Sequence, residues 1–238
     1  MNILLVGYGK MGKMIEELAA EQGSRVARAL DVEDIATLQE MGRVADVVMD
    51  FSSPAALPQI CEYVGRTGTP LVCGTTGHNE AQADMLKQAA TKAPVLYSAN
   101  YSLGIAVMRR ALAQVSAALL PGFDAELIET HHNQKADAPS GTAKMLLEVI
   151  DPHNEYRRVY GREGMCGRRG AKEIGVHSLR GGSEAGEHAV TFFGTDEVLE
   201  LRHRAASRRI FAAGALKAAE RLVSKAEGYY TFDDIMFE

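Results

Sequence analysis

The chain has 238 residues, of which 46% are hydrophobic and 24% charged, and a formal net charge of −5 at pH 7. That length holds one large domain or two modest ones and can bury a sizeable core without disulfides or metal. The acidic balance argues against a nucleic-acid partner; basic residues thicken between 151 and 210, but acidic residues are interspersed with them, as on a mixed solvated surface. Cys61, Cys73 and Cys166 form no CxxC pair and no metal-ligand spacing, which fits a reducing cytoplasm. No apolar run approaches the ~18 residues of a membrane span, and the run after Met1 is too short for a signal-peptide core. The expectation is a cytoplasmic protein with no membrane partner.

In chain order, "NILLVG" is a short apolar strand ending in glycine, and "KMGKMIEELAAEQG" has helical periodicity up to Gly23. "RVARALD" reads as a half-buried strand, "ADVVMDFSSP" as a strand broken by Pro54, and "AALPQICEYVGRTG" as a helix closed by glycines. "TPLVCGTTG" is a strand entering a loop, "NEAQADMLKQAATK" a helix, and "APVLYSAN" a further strand. Alternation at this spacing argues for βαβ units and a parallel sheet. After Asn100 the rhythm changes. "SLGIAVMRRALAQVSAALL" is a long helix, "DAELIETHH" a strand, "SGTAKMLLEVI" a helix and "KEIGVHSLRGG" a strand. "EHAVTFFGTDEVLELRHRA" reads as a β-hairpin about Gly194-Thr195-Asp196, and "RRIFAAGALKAAERLVSK" as a final helix. The second region is therefore α+β with an antiparallel or mixed sheet, and the glycine- and arginine-rich piece from 161 to 170 is expected to be a mobile loop.

"GYGKMG" sets Gly7, Gly9 and Gly12 in GxGxxG spacing between a strand and a helix. The first glycine permits the tight turn, the second lets backbone approach a pyrophosphate, and the third lets helix lie close on strand. The helix N-terminus then offers N–H groups and partial positive charge to the phosphates. Asp31 ends the next strand about 20 residues on, where an acid accepts from a ribose diol. "GTTG" (Gly74, Thr75, Thr76, Gly77) and "SANY" (Ser98, Ala99, Asn100, Tyr101) end two further strands on the same carboxyl edge, and their small and hydroxyl side chains suit close approach to a nicotinamide. Either could equally be an ordinary loop.

The segment "HHNQKADAPSGTA" at 131 to 143 is the least expected of a structural stretch. Successive strand side chains point to opposite faces, so His131 and His132 chelate one ion only if the strand bends. No third ligand is near and Lys135 is a poor neighbour for a cation; no metal site is expected. A histidine buried in the core is a weak reading too, because Lys135 and Asp137 mark the segment as wet. Acid–base chemistry on an anion fits better, since His and Lys are readily tuned to move protons near neutral pH. Ser140 can cap the following helix, leaving the Gly141 and Thr142 N–H groups and the Thr142 hydroxyl for a carboxylate. With a dinucleotide domain upstream, this points to reduction of a small carboxylated molecule.

These residues closely resemble the signature of the 4-hydroxy-tetrahydrodipicolinate reductase (dihydrodipicolinate reductase) family of the diaminopimelate and lysine pathway. The resemblance runs nearly end to end, through "DFS", "CGTTG", "SANYSLG", "HSLRGG…GEH", "FFGTDE" and "FAAGALKAAERLV". It implies an α/β fold: a Rossmann-like dinucleotide-binding domain (1–101 plus 208–238) and a second α+β substrate and oligomerisation domain (102–207). It implies NADH or NADPH as cofactor, a small dicarboxylate substrate and a homotetramer. By match of motif, His131 is a proton donor/acceptor and Lys135 a proton donor, while His132, Ser140, Gly141 and Thr142 hold substrate. Cofactor contacts fall on Gly7, Tyr8, Gly9, Lys10, Met11, Gly12, Asp31, Gly74, Thr75, Thr76, Ser98, Ala99, Asn100 and Tyr101. Many members have a longer glycine loop with Arg before the Met; this chain has Lys10 there, so the resemblance does not choose between NADH and NADPH. Two other readings stay open on sequence: a dehydrogenase of the same plan acting on another amino-acid precursor such as a semialdehyde, and a dinucleotide-sensing protein without turnover.

Overall fold

The computed structural model describes residues 1–120 and 122–238. The chain divides into two compact units, Met1–Leu103 with Arg209–Glu238, and Gly104–Arg208.

The first unit opens with β1 (Asn2–Val6), α1 (Lys10–Glu21), β2 (Arg25–Leu30), β3 (Val47–Asp50), α2 (Leu57–Thr67), β4 (Leu71–Cys73), α3 (Glu80–Ala89) and β5 (Pro94–Tyr97). Every residue of β3 and β4 is buried, as a parallel strand covered on both faces requires, and this is why these strands read as apolar runs up to Asp50 and Cys73. The stops are local. Gly68 ends α2 in the left-handed region at φ +65°, where a glycine carries no Cβ penalty. A capping box between Asn79 and Gln82 starts α3.

The second unit holds α4 (Leu103–Leu119), β6 (Asp124–His131), α5 (Gly141–Ile150), β7 (Arg157–Tyr160), β8 (Glu173–Arg180), β9 (Glu187–Phe193) and β10 (Val198–Arg204). Its sheet runs β10-β9-β6-β8-β7 and is mixed: β6/β8 and β7/β8 are parallel, β6/β9 and β9/β10 antiparallel. Ile105, Met108 and Leu112 of α4 and Leu146, Leu147 and Ile150 of α5 pack with Leu127, Ile174, Val176, Val190 and Phe192 on one face of that sheet. The glycine- and arginine-rich segment is anchored near its two ends, and the residues between are exposed. Arg162 donates to both Glu126 oxygens, and Arg169 to Asp124 and to the Ala125 and Glu173 carbonyls.

The chain returns to the first unit as α6 (Arg209–Leu222), β11 (Gly228–Tyr230) and α7 (Phe232–Phe237). Its sheet runs β11-β5-β4-β3-β1-β2, all parallel. This is the Rossmann-like α/β arrangement. Strand order reverses at β1, so the carboxyl ends of β1 and β3 flank the crevice where such sheets bind ligands. Among the described residues no helix is long and apolar enough to cross a membrane.

Candidate active site

Strand register arranges the helix-covered face of the second sheet in rows. Leu127, Val176, Val190 and Leu201 form one apolar row. Two residues further along β6 the row turns polar: Glu129, Ser178, His188 and His203. His131 opposite Arg180 begins the next. The core face of this sheet thus ends in a set of ionisable groups, where the period-2 pattern of β6 would otherwise place more apolar side chains.

His131 is 9% exposed and Glu129 is fully buried. The expectation that the segment is wet holds for its loop and not for this ring. Glu129 Oε2 accepts from His131 Nδ1 at 2.5 Å and from Arg180 Nη1 at 2.9 Å. Its Oε1 accepts from Arg180 Nη2 at 2.8 Å and from the Ser140 N–H at 3.2 Å. Burial pushes the carboxyl of Glu129 up, but hydrogen bonds from Arg180, Ser178 and His131 outweigh that and bring it down to about 2. On the opposite side of the ring, a Cβ on Gly186 would lie 3.1 Å from His131 Nε2.

The loop after β6 carries the remaining candidates. His132 Nε2 lies 3.3 Å from Arg208 Nη2. Because Arg can only donate, this nitrogen accepts, and desolvation followed by the Arg208 charge pulls the His132 pKa down. Lys135 Nζ sits 2.8 Å from Asp137 Oδ1. Ser140 caps α5 as expected, its Oγ accepting from the Ala143 N–H at 3.1 Å. The same Oγ lies 3.0 Å from His188 Nε2. His188 packs edge-to-face on His131 with centroids 5.2 Å apart; burial and the nearby His131 charge push its pKa down to about 4, so it is neutral at ordinary pH. A Cβ on Gly141 would meet nothing within 4 Å, so α5 opens onto free space at its first residue.

The other candidate set lies on the carboxyl edge of the first unit's sheet. Gly7 has φ +93°, and a Cβ there would lie 2.4 Å from the Phe51 carbonyl oxygen. A Cβ on Gly12 would lie 2.2 Å from the Gly7 carbonyl, whereas one on Gly9 would meet nothing within 4 Å. Gly7 and Gly12 are thus fixed by packing, and Gly9 leaves an open approach to the backbone. No side chain caps α1 and its first turn contains no acid, so the helix start suits an anion. Lys10 is exposed beside it, with Tyr8 and Met11 partly buried. The Gly7 N–H donates to Leu30 O at 2.8 Å, which sets Asp31, the next residue, alongside the loop. These groups fit a dinucleotide.

Two predicted contact residues turn out to be supports in their side chains. Thr75 is buried and its Oγ1 accepts from the Ser52 N–H at 2.9 Å. Tyr101 is buried, donates to Cys73 O at 2.8 Å and packs on Phe51 and Phe232, and its carbonyl lies against Gly214. Ser98 Oγ bonds the Asn100 carbonyl at 2.7 Å and shapes the turn, in which Ala99 is exposed; Gly74 is partly buried and Thr76 exposed beside them. Asp50, fully buried at the end of β3, accepts from Ser52 Oγ at 2.5 Å and from the Cys73 thiol at 3.3 Å. Burial raises its pKa against the pull of Ser52, Thr75 and Cys73.

The sequence reading missed Glu129, Arg180 and His188. Glu129 had a usable signal, since residues i and i+2 of a strand share a face and "ETH" sets a carboxylate beside His131. Arg180 and His188 are brought in by the pairing of β6 with β8 and β9, and no local pattern marks them.

Family models described as "Dihydrodipicolinate reductase, N-terminus" and "Dihydrodipicolinate reductase, C-terminus" match residues 1–101 and 104–236. Proteins named 4-hydroxy-tetrahydrodipicolinate reductase from Exiguobacterium sibiricum and Staphylococcus carnosus are similar over nearly the whole length. The first is 43% identical over 99% of this chain and 96% of its own, the second 44% over 99% of both. A solved dipicolinate-bound dihydrodipicolinate reductase from Paenisporosarcina sp. TG-14 superposes with a TM-score of 0.74 at 21% identity, covering 100% of this chain and 99% of that one; at that identity the likeness bears on fold. Matches to both halves, together with relatives above 40% identity, establish that the chain belongs to the dihydrodipicolinate reductase family.

Proposed function

We propose that this chain reduces 4-hydroxy-tetrahydrodipicolinate to tetrahydrodipicolinate, with loss of the 4-hydroxyl as water, in diaminopimelate and lysine biosynthesis. The observation that carries this reading is His131 beside an open helix start: a ring held by Glu129 at 2.5 Å, next to the Ser140-capped first turn of α5. Gly7, Gly9, Gly12 and Asp31 would hold the dinucleotide, with backbone from Gly74 to Thr76 and from Ser98 to Tyr101. A bound NADH or NADPH supplies the hydride.

This chain's own groups do the rest. The Gly141 and Thr142 N–H groups and the Thr142 hydroxyl receive one ring carboxylate at the positive end of the helix. His132 and Lys135 add donors at the same end. His131 exchanges a proton through Nε2, and Lys135 donates a second once it leaves Asp137. The open face of the second sheet exposes Ile128, Leu179, Phe193 and Val198, which supports a homotetramer built through that sheet. The protein works in the cytoplasm on a small dicarboxylate, with no nucleic-acid or membrane partner.

A coupled assay tests the reaction: aspartate semialdehyde, pyruvate and the preceding synthase, with NADH or NADPH absorbance followed after this protein is added. Oxidation of the nucleotide that depends on all components is expected. Its absence with both nucleotides would overturn the assignment.

A further inference from the structure

Glu129 sits where the apolar stripe Ala125, Leu127 of β6 would continue inward, and it is completely buried. An ion pair in such a place stabilises a fold no better than a well-packed apolar residue does, and often worse. The carboxylate therefore calls for an explanation other than packing. Its contacts supply one. Arg180 grips both oxygens, the Ser140 N–H takes Oε1, Ser178 adds a further hydrogen bond, and Oε2 also accepts from His131 Nδ1. Arg180 also donates to the Asp137 carbonyl at 2.6 Å, which ties the same carboxylate to the loop bearing Lys135.

We infer that Glu129, clamped by Arg180, is the positioning residue of His131: it accepts the Nδ1 proton, fixes the tautomer that leaves Nε2 to exchange protons, and stabilises the ring when it is doubly protonated. A carboxylate on the distal nitrogen orients an imidazole in this way wherever the near nitrogen must stay free. Gly186 completes the arrangement, since any larger residue would put a carbon 3.1 Å from Nε2. The charged and titratable groups facing the ring are Glu129 on its own strand, Arg180 on β8, His188 on β9, and His132 and Lys135 in the following loop. His188 is neutral at ordinary pH, and the rest apart from Glu129 are bases, so the carboxylate is what favours the imidazolium. Held down to about 2, Glu129 keeps its charge at ordinary pH.

The inference rests on the reading that His131 handles a proton, and the test separates the two. Histidine-¹⁵N-labelled protein is followed by NMR through a pH titration, with His131 assigned from the signal lost in His131→Gln. Neutral His131 in the unaltered protein should show Nδ1 protonated and Nε2 bare; the opposite tautomer overturns the inference and needs no variant. In Glu129→Gln the amide can donate to Nδ1, so the ring should shift toward the Nε2–H form. The pH at which His131 takes its second proton should fall by about one unit, and kcat by about 10²-fold with substrate KM within a few-fold. Lost activity with the His131 tautomer and titration unchanged would make Glu129 merely structural, and the inference would fail. Full turnover in His131→Gln would instead remove the functional reading while leaving the tautomer as measured.

Discussion

Lys135 and Asp137 form an ion pair of 2.8 Å across a single intervening residue, with the lysine side chain 21% and the aspartate 54% exposed. The pairing holds the ammonium in the loop after β6, and the Lys135 hydrogen bond holds the Asp137 carboxyl below its ordinary range. An ammonium paired with an exposed carboxylate leaves it readily, because such a pair is worth less than about 1 kcal/mol. Lys135→Ala and His131→Gln are each expected to lower turnover by ~10²–10⁴-fold, the usual worth of a positioned acid or base. Dinucleotide affinity, measured by fluorescence titration, should stay at its original value, since neither residue belongs to the glycine loop. Turnover close to normal in both variants would remove the acid–base mechanism.

The glycine loop and the Ser140-capped helix start were legible in the chain because both depend on local geometry. Gly7 must adopt positive φ and Gly12 must let α1 approach the turn, and a Ser before a helical run caps it. The βαβ alternation was equally legible, since buried parallel strands are apolar runs. What escaped depends on pairing. β7, β11 and α7 have only four, three and six residues. β7 is a strand because β8 lies beside it, and β11 because β5 does. The same holds for the partners of His131: a residue-by-residue scan finds the histidine and not the arginine whose backbone lies opposite it in the sheet.

His188 makes stability depend on pH with a definite sign. Its pKa falls from the ordinary 6.5 to about 4 through burial and then the His131 charge. The unfolded chain therefore binds this proton more readily than the folded one between those values. The stabilisation is complete above pH 6.5 and is lost as pH falls toward 4. At about 1.4 kcal/mol per pH unit, the full window is worth about 3 kcal/mol. Urea denaturation at pH 7.5, 6, 5 and 4.5 should show a shallower acid loss for His188→Asn than for the unaltered protein. Parallel curves would mean that another group carries the slope.

Choice of nucleotide should follow from Asp31. It is exposed at the end of β2, its Oδ1 accepts from the Val32 N–H at 2.9 Å, and Val32 is 74% exposed. A carboxylate there can accept from a ribose diol but repels a 2′-phosphate, and Val32 offers that phosphate no charge. NADH should be used at least as well as NADPH, and Asp31→Ser should raise relative use of NADPH. A kcat/KM for NADPH about tenfold or more above that for NADH would show that Asp31 does not set the choice.

The start of α5 should discriminate between one carboxylate and two. Gly141 opens onto free space, Ser140 is occupied as the cap, and the N–H groups that follow lie at the positive end of a ten-residue helix. One ring carboxylate can bind there through charge-assisted hydrogen bonds. The second needs cations elsewhere, and Lys135 in the loop and Arg208 at the end of the same unit supply them, with His132 as a neutral neighbour. Pyridine-2,6-dicarboxylate, planar with both groups, should inhibit competitively against the substrate, and pyridine-2-carboxylate far more weakly. Thr142→Val removes a hydroxyl while keeping the helix and nearly the same volume. It should weaken the dicarboxylate by about 1.5–3 kcal/mol, the worth of a hydrogen bond to a charged group, and leave NADH binding unchanged. If the mono- and dicarboxylate inhibit equally and Thr142→Val has no effect, the first turn of α5 is not the carboxylate site, and the anion must be held by the loop cations alone.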